Sequence, residues 1–133
     1  MGYLLAQAGD PEQLSGVTSL ISETSTVTLR LALTGLDMRQ QAIADNIANI
    51  ETPGFLSKQV DFEASLRAAV AGGDPTSTRF DVSRSLAPTR MNGNNVNIDV
   101  EIMANAEVRL RQQLAIQALN SEYTLLRTAI SGR

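Results

Sequence analysis

Histidine, cysteine and tryptophan are all absent from this 133-residue sequence, and aromatic residues make up only 4% of it. The first two absences remove the imidazole, the thiolate and the common zinc and iron–sulfur ligand sets together. Any catalysis is then left to carboxylates, lysine, serine and threonine. A cysteine-free chain is compatible with every redox compartment, so disulfides do not locate it. With so few aromatics, burial has to come from Leu, Ile, Val and Ala within an ordinary apolar content of 43%. That composition favours helices.

A basic face is also missing. The formal net charge is −3, and the richest basic stretch, Arg79, Arg84 and Arg90, is diluted by Asp81 and has no aromatic ladder, which argues against nucleic-acid binding. No apolar run approaches the roughly 18 to 20 residues of a membrane span. Residues 1 to 29 contain no Lys or Arg, so the positive n-region of a cleavable secretory signal is absent and export, if it occurs, is expected by another route.

What is there concentrates in Ala44 to Phe55, ADNIANIETPGF. Ile43, Ile47 and Ile50 carry an apolar stripe at helical spacing, and Asn46 and Asn49 are short amides able to cap carbonyls or reach a neighbouring backbone. Pro53 stops the helix, and Pro53-Gly54 suits the centre of a type II turn with Gly54 at positive φ. Upstream, Leu29, Leu33, Leu36, Gln40, Ile43, Ile47 and Ile50 alternate spacings of four and three, a coiled-coil seam with one polar position.

Before that seam, Asp10, Pro11, Glu12 and Gln13 read as a helix start, with Leu14, Val17, Leu20 and Ile21 as its apolar face. The SETSTVT stretch, Ser22 to Thr28, is predicted to break or weaken the helix. After the turn, Asp61 is a candidate cap for a short helix, Phe62 to Ala71, ended by Gly72 and Gly73. Asp74 to Asn95 lacks periodicity and reads either as a functional loop with short strands at Arg79 to Ser83 or as disordered until bound. Asn97 then caps a last helix to about Ile130, with Asp99 and Glu101 in its first turn.

That last helix carries two apolar sides. Val100, Met103, Leu110, Leu114, Ala118 and Leu125 fall on one; Ile116, Leu119, Tyr123, Leu126 and Ile130 fall nearly opposite. Two faces need two partners. The seam helix supplies one; the second is either Phe62, Leu66 and Val70 of the short helix or another subunit. The fold class is therefore mainly α: long N- and C-terminal helices paired as an antiparallel, coiled-coil-like hairpin, with an irregular middle that has room for short β segments. Residues 1–25 form an extension with a short helix, 26–50 and 97–133 the paired core, and 51–96 the turn, short helix and polar arm.

The order of these blocks, ADNIANIETPGF, then VDFEASL at Val60 to Leu66, GNNVNIDVE at Gly93 to Glu101 and a long C-terminal helix ending RTAISGR, resembles the flagellar basal-body rod proteins over roughly Thr26 to Arg133. Asn46, Ile47, Ala48, Asn49, Thr52, Pro53, Gly54 and Phe55 match the family motif. The NIAN…TPGF block is shared by rod, hook and hook-associated proteins, whereas the short length and VDFEASL favour a proximal-rod member over the sister FlgC type. Ile50-Glu51 and a longer, more acidic N-terminal extension depart from the pattern.

The resemblance implies a structural subunit, not an enzyme, with no cofactor or metal. It implies export without a cleaved signal through the flagellar type III apparatus and a place in the extracytoplasmic basal body. Implied partners are copies of itself, FlgC-like and FlgF-like rod proteins, the adaptor FliE and the MS ring. Residue by residue, Leu29, Leu33, Leu36, Ile43 and Ile47 with Leu110, Leu114 and Ala118 are expected in the intrachain pair, and Ile116, Leu119, Tyr123, Leu126 and Ile130 at the subunit interface. Two rivals are a glycosidase using Asp61 and Glu63 or Asp99 and Glu101, and a helical adaptor that never polymerises. The i, i+2 spacing keeps each acidic pair from facing one another on a helix.

Overall fold

The computed structural model describes residues 10–132. Helix α1, Pro11–Ala48, is followed by strand β1, Lys58–Asp61, helix α2, Glu63–Ala71, a 3₁₀ turn at Pro75–Ser77, strand β2, Asp81–Arg84, and helix α3, Ile98–Ser131. The architecture is mainly α, with the two long helices packed antiparallel. Cross-helix bonds fix the direction: Asn46 meets Glu101, Asp37 meets Gln112, and Ser22 meets Glu122.

α1 is one continuous helix through Ser22–Thr28, which corrects the expected break there. Within the stretch Thr28 turns back onto its own helix, donating to the Thr24 carbonyl four residues earlier, as Thr18 and Thr34 do on either side of it. Such back-bonding leaves the helical ladder intact. Ser22 instead reaches Glu122 of α3 at 3.4 Å. Tertiary packing overrides the weak local preference. At the start, Asp10 occupies the cap position ahead of Pro11, though its side chain makes no capping bond.

α2 begins one residue later than expected. Phe62 takes the cap position, and Asp61 ends β1 rather than capping the helix. The strands form a two-stranded antiparallel sheet in which Lys58 pairs with Arg84, Val60 with Val82 and Asp61 with Asp81. Asn97 caps α3 as its sequence position suggests, accepting from the amides of Asp99 and Val100.

The small core gathers Leu36, Ala42 and Ile43 of α1, Val60 and Phe62 of the arm and Val108 of α3. Gly35 makes this approach possible: a Cβ built there would lie 2.5 Å from the Phe62 ring. Phe62 in turn meets Phe80 with ring centroids 5.9 Å apart. The short helix is thus pinned to the seam by an aromatic that enters over a glycine.

Candidate functional site

Two polar blocks far apart in sequence meet at the end of α1. The Thr52–Phe55 segment is the expected turn: Gly54 has φ 72°, and the Phe55 amide donates to the Thr52 carbonyl at 3.3 Å. Gly54 also donates its own N–H to the Asn92 carbonyl at 2.8 Å. A Cβ at Gly93 would lie 3.2 Å from the Gly54 Cα, so the TPGF and GNNVN backbones touch through glycine.

Four asparagines hold this junction by imitating backbone. Asn46, 1% exposed, accepts from the Lys58 amide at 2.7 Å and donates to the Lys58 carbonyl at 3.0 Å, as an adjacent strand would. Asn94, 0% exposed, donates to the carbonyls of Asn49 and Thr52, at 2.8 Å each, which secures the orphan end of α1. Asn95 accepts from Ser57 and donates to the Ser85 and Ala87 carbonyls. Asn49 closes its own turn by donating to Asp45 and accepting from the Thr52 hydroxyl. Arg90 adds bonds to the Ile50 carbonyl and to Asn94.

Charged side chains brace the same region. Arg39 grips both oxygens of Glu63, at 2.6 and 2.8 Å, and also donates to the Val60 carbonyl and covers the Phe62 ring. That hydrogen-bonded guanidinium holds the Glu63 carboxyl down at about 2 and raises Arg39 itself. Arg111 of α3 also reaches Glu63, at 3.1 Å. Glu101 is different: it is 6% exposed, burial pushes its carboxyl up, and the opposing contact is the Asn46 amide at 3.1 Å.

Of the residues expected in the intrachain pair, Leu36 and Ile43 are buried, Leu29 and Leu33 half-buried, and Ile47 37% exposed. Leu110 and Leu114 are each 57% exposed, and Ala118 is exposed too, so these three do not line the seam. The α3 side facing α1 is instead Glu101, Val108, Gln112, Ala115, Leu119 and Leu126. Leu119 and Leu126, expected at a subunit interface, are therefore half-buried within the chain, while Ile116, Tyr123 and Ile130 remain exposed. Hydrophobicity alone misassigned the faces because the true seam is polar-rich. Glu101 and Gln112 are held in it by named partners on α1, which no hydropathy pattern reveals.

Sequence reading also missed Gly35, Arg39 and the buried role of Glu101. Glu101 stands in the first turn of a helix, where an acid is explained by the dipole alone. Nothing in the arrangement resembles a reacting centre. It is a junction that fixes the angle between the long helices and the arm.

The chain matches the family model described as "Flagella basal body rod protein" over residues 28–55, the segment containing NIAN and TPGF. It is 30% identical over 117 residues to the "Flagellar basal body rod protein FlgB" of Bacillus subtilis, covering 78% of this chain and 91% of the relative. The FlgB of Cereibacter sphaeroides is 32% identical over 114 residues, covering 76% and 89% respectively. That of Escherichia coli is 28% identical over 105 residues, covering 63% and 76%. With the motif junction, the paired helices and this coverage in hand, the chain belongs to the FlgB family of flagellar basal body rod proteins and is a structural subunit of that rod.

Proposed function

We propose that this subunit polymerises through its two long helices into the proximal part of the rod and there transmits motor torque. The observation that carries this reading is the outward apolar stripe of α3. Val100, Met103, Leu110, Leu114 and Leu125 are 57–74% exposed on a helix whose other side is already used by α1. Leu14, Val17, Leu20 and Ile21 are exposed on α1 as well. An apolar surface of this extent on two rods of about 50 Å or more is what an assembling subunit needs to bury against neighbours.

On this reading α1 and α3 form the wall of the assembly and 51–96 the contact-making arm; of the expected 1–25 extension, Pro11 onward belongs to the unbroken α1, where Ser22 already meets Glu122, and residues 1–9 lie outside the described residues. Ile116, Tyr123 and Ile130 stay in the subunit interface, joined by the outward stripe; Leu119 and Leu126 leave it. Partners are copies of this chain, FlgC-like and FlgF-like rod proteins, the adaptor FliE and the MS ring. Delivery is through the flagellar type III apparatus, without a cleaved signal, to the extracytoplasmic basal body. No helix among the described residues is long and apolar enough to cross a membrane. Catalysis has no part in it: Glu63 is locked by Arg39 and Glu101 is engaged by Asn46.

The test is sedimentation of the purified chain, alone and with sister rod proteins, beside motility of cells carrying Leu110→Asp plus Leu114→Asp. Assembly of the parent and immotile cells with the variant are expected. A parent chain that stays a folded monomer with every rod partner, or full motility with the variant, overturns the reading.

A further inference from the structure

A groove of about 900 Å³ opens between β1 and the first turns of α3, lined by Ile43, Val60, Asp61, Val100, Glu101 and Glu107 among others. Its charges are unequally satisfied. Every cation on its wall is committed: Arg39 to Glu63, Lys58 to Asp45, and Arg90 to the Ile50 carbonyl and Asn94. Glu107 is paired with Arg111. Two carboxylates have no cationic partner among the described residues, Asp61 and the 94%-buried Glu101, of which only Oε1 is hydrogen-bonded. Asp81 sits directly opposite Asp61 across the strand pair, a like-charge register that costs stability when nothing neutralises it. The groove is therefore apolar, with two carboxyl groups that no salt bridge satisfies.

The complement lies on the far flank of α3. Taking the α1-facing seam as zero, Val100 and the groove lie about a quarter turn to one side, and Ile102, Arg109, Ile116 and Arg127 lie about a quarter turn to the other. Ile102 and Ile116 are 57% and 48% exposed. Arg109 and Arg127 are exposed and make no ion pair among the described residues. One flank offers free cations on an apolar strip; the other offers free carboxylates in an apolar groove.

We propose that the groove of one copy receives the Ile102–Arg109–Ile116 flank of α3 from a second copy, with Arg109 placed against Asp61. The proposal rests on the polymerisation reading and names one of the contacts it uses. Because the two surfaces lie on opposite flanks of one helix, the contact is heterologous and does not close on itself. Arginine suits the position because its planar fork can meet both oxygens of the Asp61 carboxylate.

The chain's lack of cysteine makes the contact directly testable. A chain carrying Asp61→Cys and Arg109→Cys is expected to give an oxidised ladder of covalent oligomers under the conditions in which the parent sediments as polymer. Asp61→Lys and Arg109→Glu, each checked for folding by circular dichroism, should reduce sedimented protein at least tenfold, and the chain carrying both should recover it, because each interface regains an opposite-charge pair. Polymer that forms normally from both single variants, or no ladder from chains that do sediment, overturns this contact while leaving polymerisation standing. A parent that never assembles with any rod partner overturns both.

Discussion

The Asn46 side-chain amide is shared between two elements: one N–H set reaches the Lys58 carbonyl at 3.0 Å and the Glu101 carboxylate at 3.1 Å, while its oxygen accepts from the Lys58 amide. A single residue of the NIAN block thus ties α1 to β1 and to the first turn of α3. Leucine of similar size could make none of these three bonds and would leave both Lys58 backbone groups without those partners. Asn46→Leu is expected to cost about 3 kcal/mol or more. Urea unfolding of the folded subunit measures it, and a loss under 1 kcal/mol would remove the amide from its central place.

Glu101 makes the stability pH-dependent in an unusual direction for a carboxylate. Its folded-state pKa lies above the ordinary 4.5, because burial disfavours the charged form more than the Asn46 bond supports it. The folded chain therefore holds this proton more tightly than the unfolded chain, and stability falls as pH rises from 4.5 through the folded value. Glu101→Gln keeps an acceptor for Asn46 without the charge. The variant should gain on the parent across that window and hold the gain at neutral pH; denaturation curves at pH 4 and pH 7 that show a constant difference would refute this.

Glu63 runs the other way. Held at about 2 by Arg39, it contributes stability that is full above 4.5 and is lost as pH falls toward 2. The carboxylate is 40% exposed, so solvent screening reduces the pair to about 1 kcal/mol. Arg39→Ala should cost more, about 2 kcal/mol, since it also removes two bonds to the Val60 carbonyl and the cover over Phe62. Arg39→Lys should recover little of that, because an ammonium cannot serve Val60 and both Glu63 oxygens together. Equal stability of the Lys variant and the parent at pH 7 would contradict it.

The turn, the Asn97 cap and the antiparallel pairing of long helices were legible because each follows from local chemistry: a proline and glycine at the centre of a turn, an amide before a helix, a seam of alternating spacing. The faces of α3 were not. Val108 is its one fully buried aliphatic residue, and its seam neighbours include Glu101, Gln112 and Glu122, which belong inside only because Asn46, Asp37 and Ser22 stand opposite them. Partner identity across 75 or 100 positions of sequence is not written in either helix alone. The continuity of α1 was obscured for a related reason: hydroxyl residues that weaken an isolated helix no longer break it once a second helix lies along it.

Gly35 and Phe62 offer a steric test. Any side chain at Gly35 meets the Phe62 ring at 2.5 Å, backed by Leu36 and Val108 in the same cluster. Gly35→Ala improves helix propensity by about 1 kcal/mol, yet the clash is expected to outweigh it, giving a net loss of about 1 to 2 kcal/mol. Adding Phe62→Leu should make the two changes non-additive, the double variant being more stable than the sum of the single losses allows. Strict additivity in a double-mutant cycle would mean that the ring moves aside freely.

Thr26 is expected to yield a stabilised chain. Its hydroxyl is buried on α1 and has no hydrogen-bond partner among the described residues, although neighbouring hydroxyls such as Thr28 turn back to their own helix. An unpaired buried hydroxyl costs about 1 to 3 kcal/mol in lost hydration. Thr26→Val keeps the branched shape and replaces that hydroxyl with a methyl, at almost no change in helix propensity. The variant should be more stable by about 1 kcal/mol in urea, with an unchanged m-value. Thr26→Ser, which keeps the hydroxyl and deletes the methyl, should instead lose stability. If Val destabilises the chain as well, the hydroxyl is bonded in solution and the site is not a packing position at all.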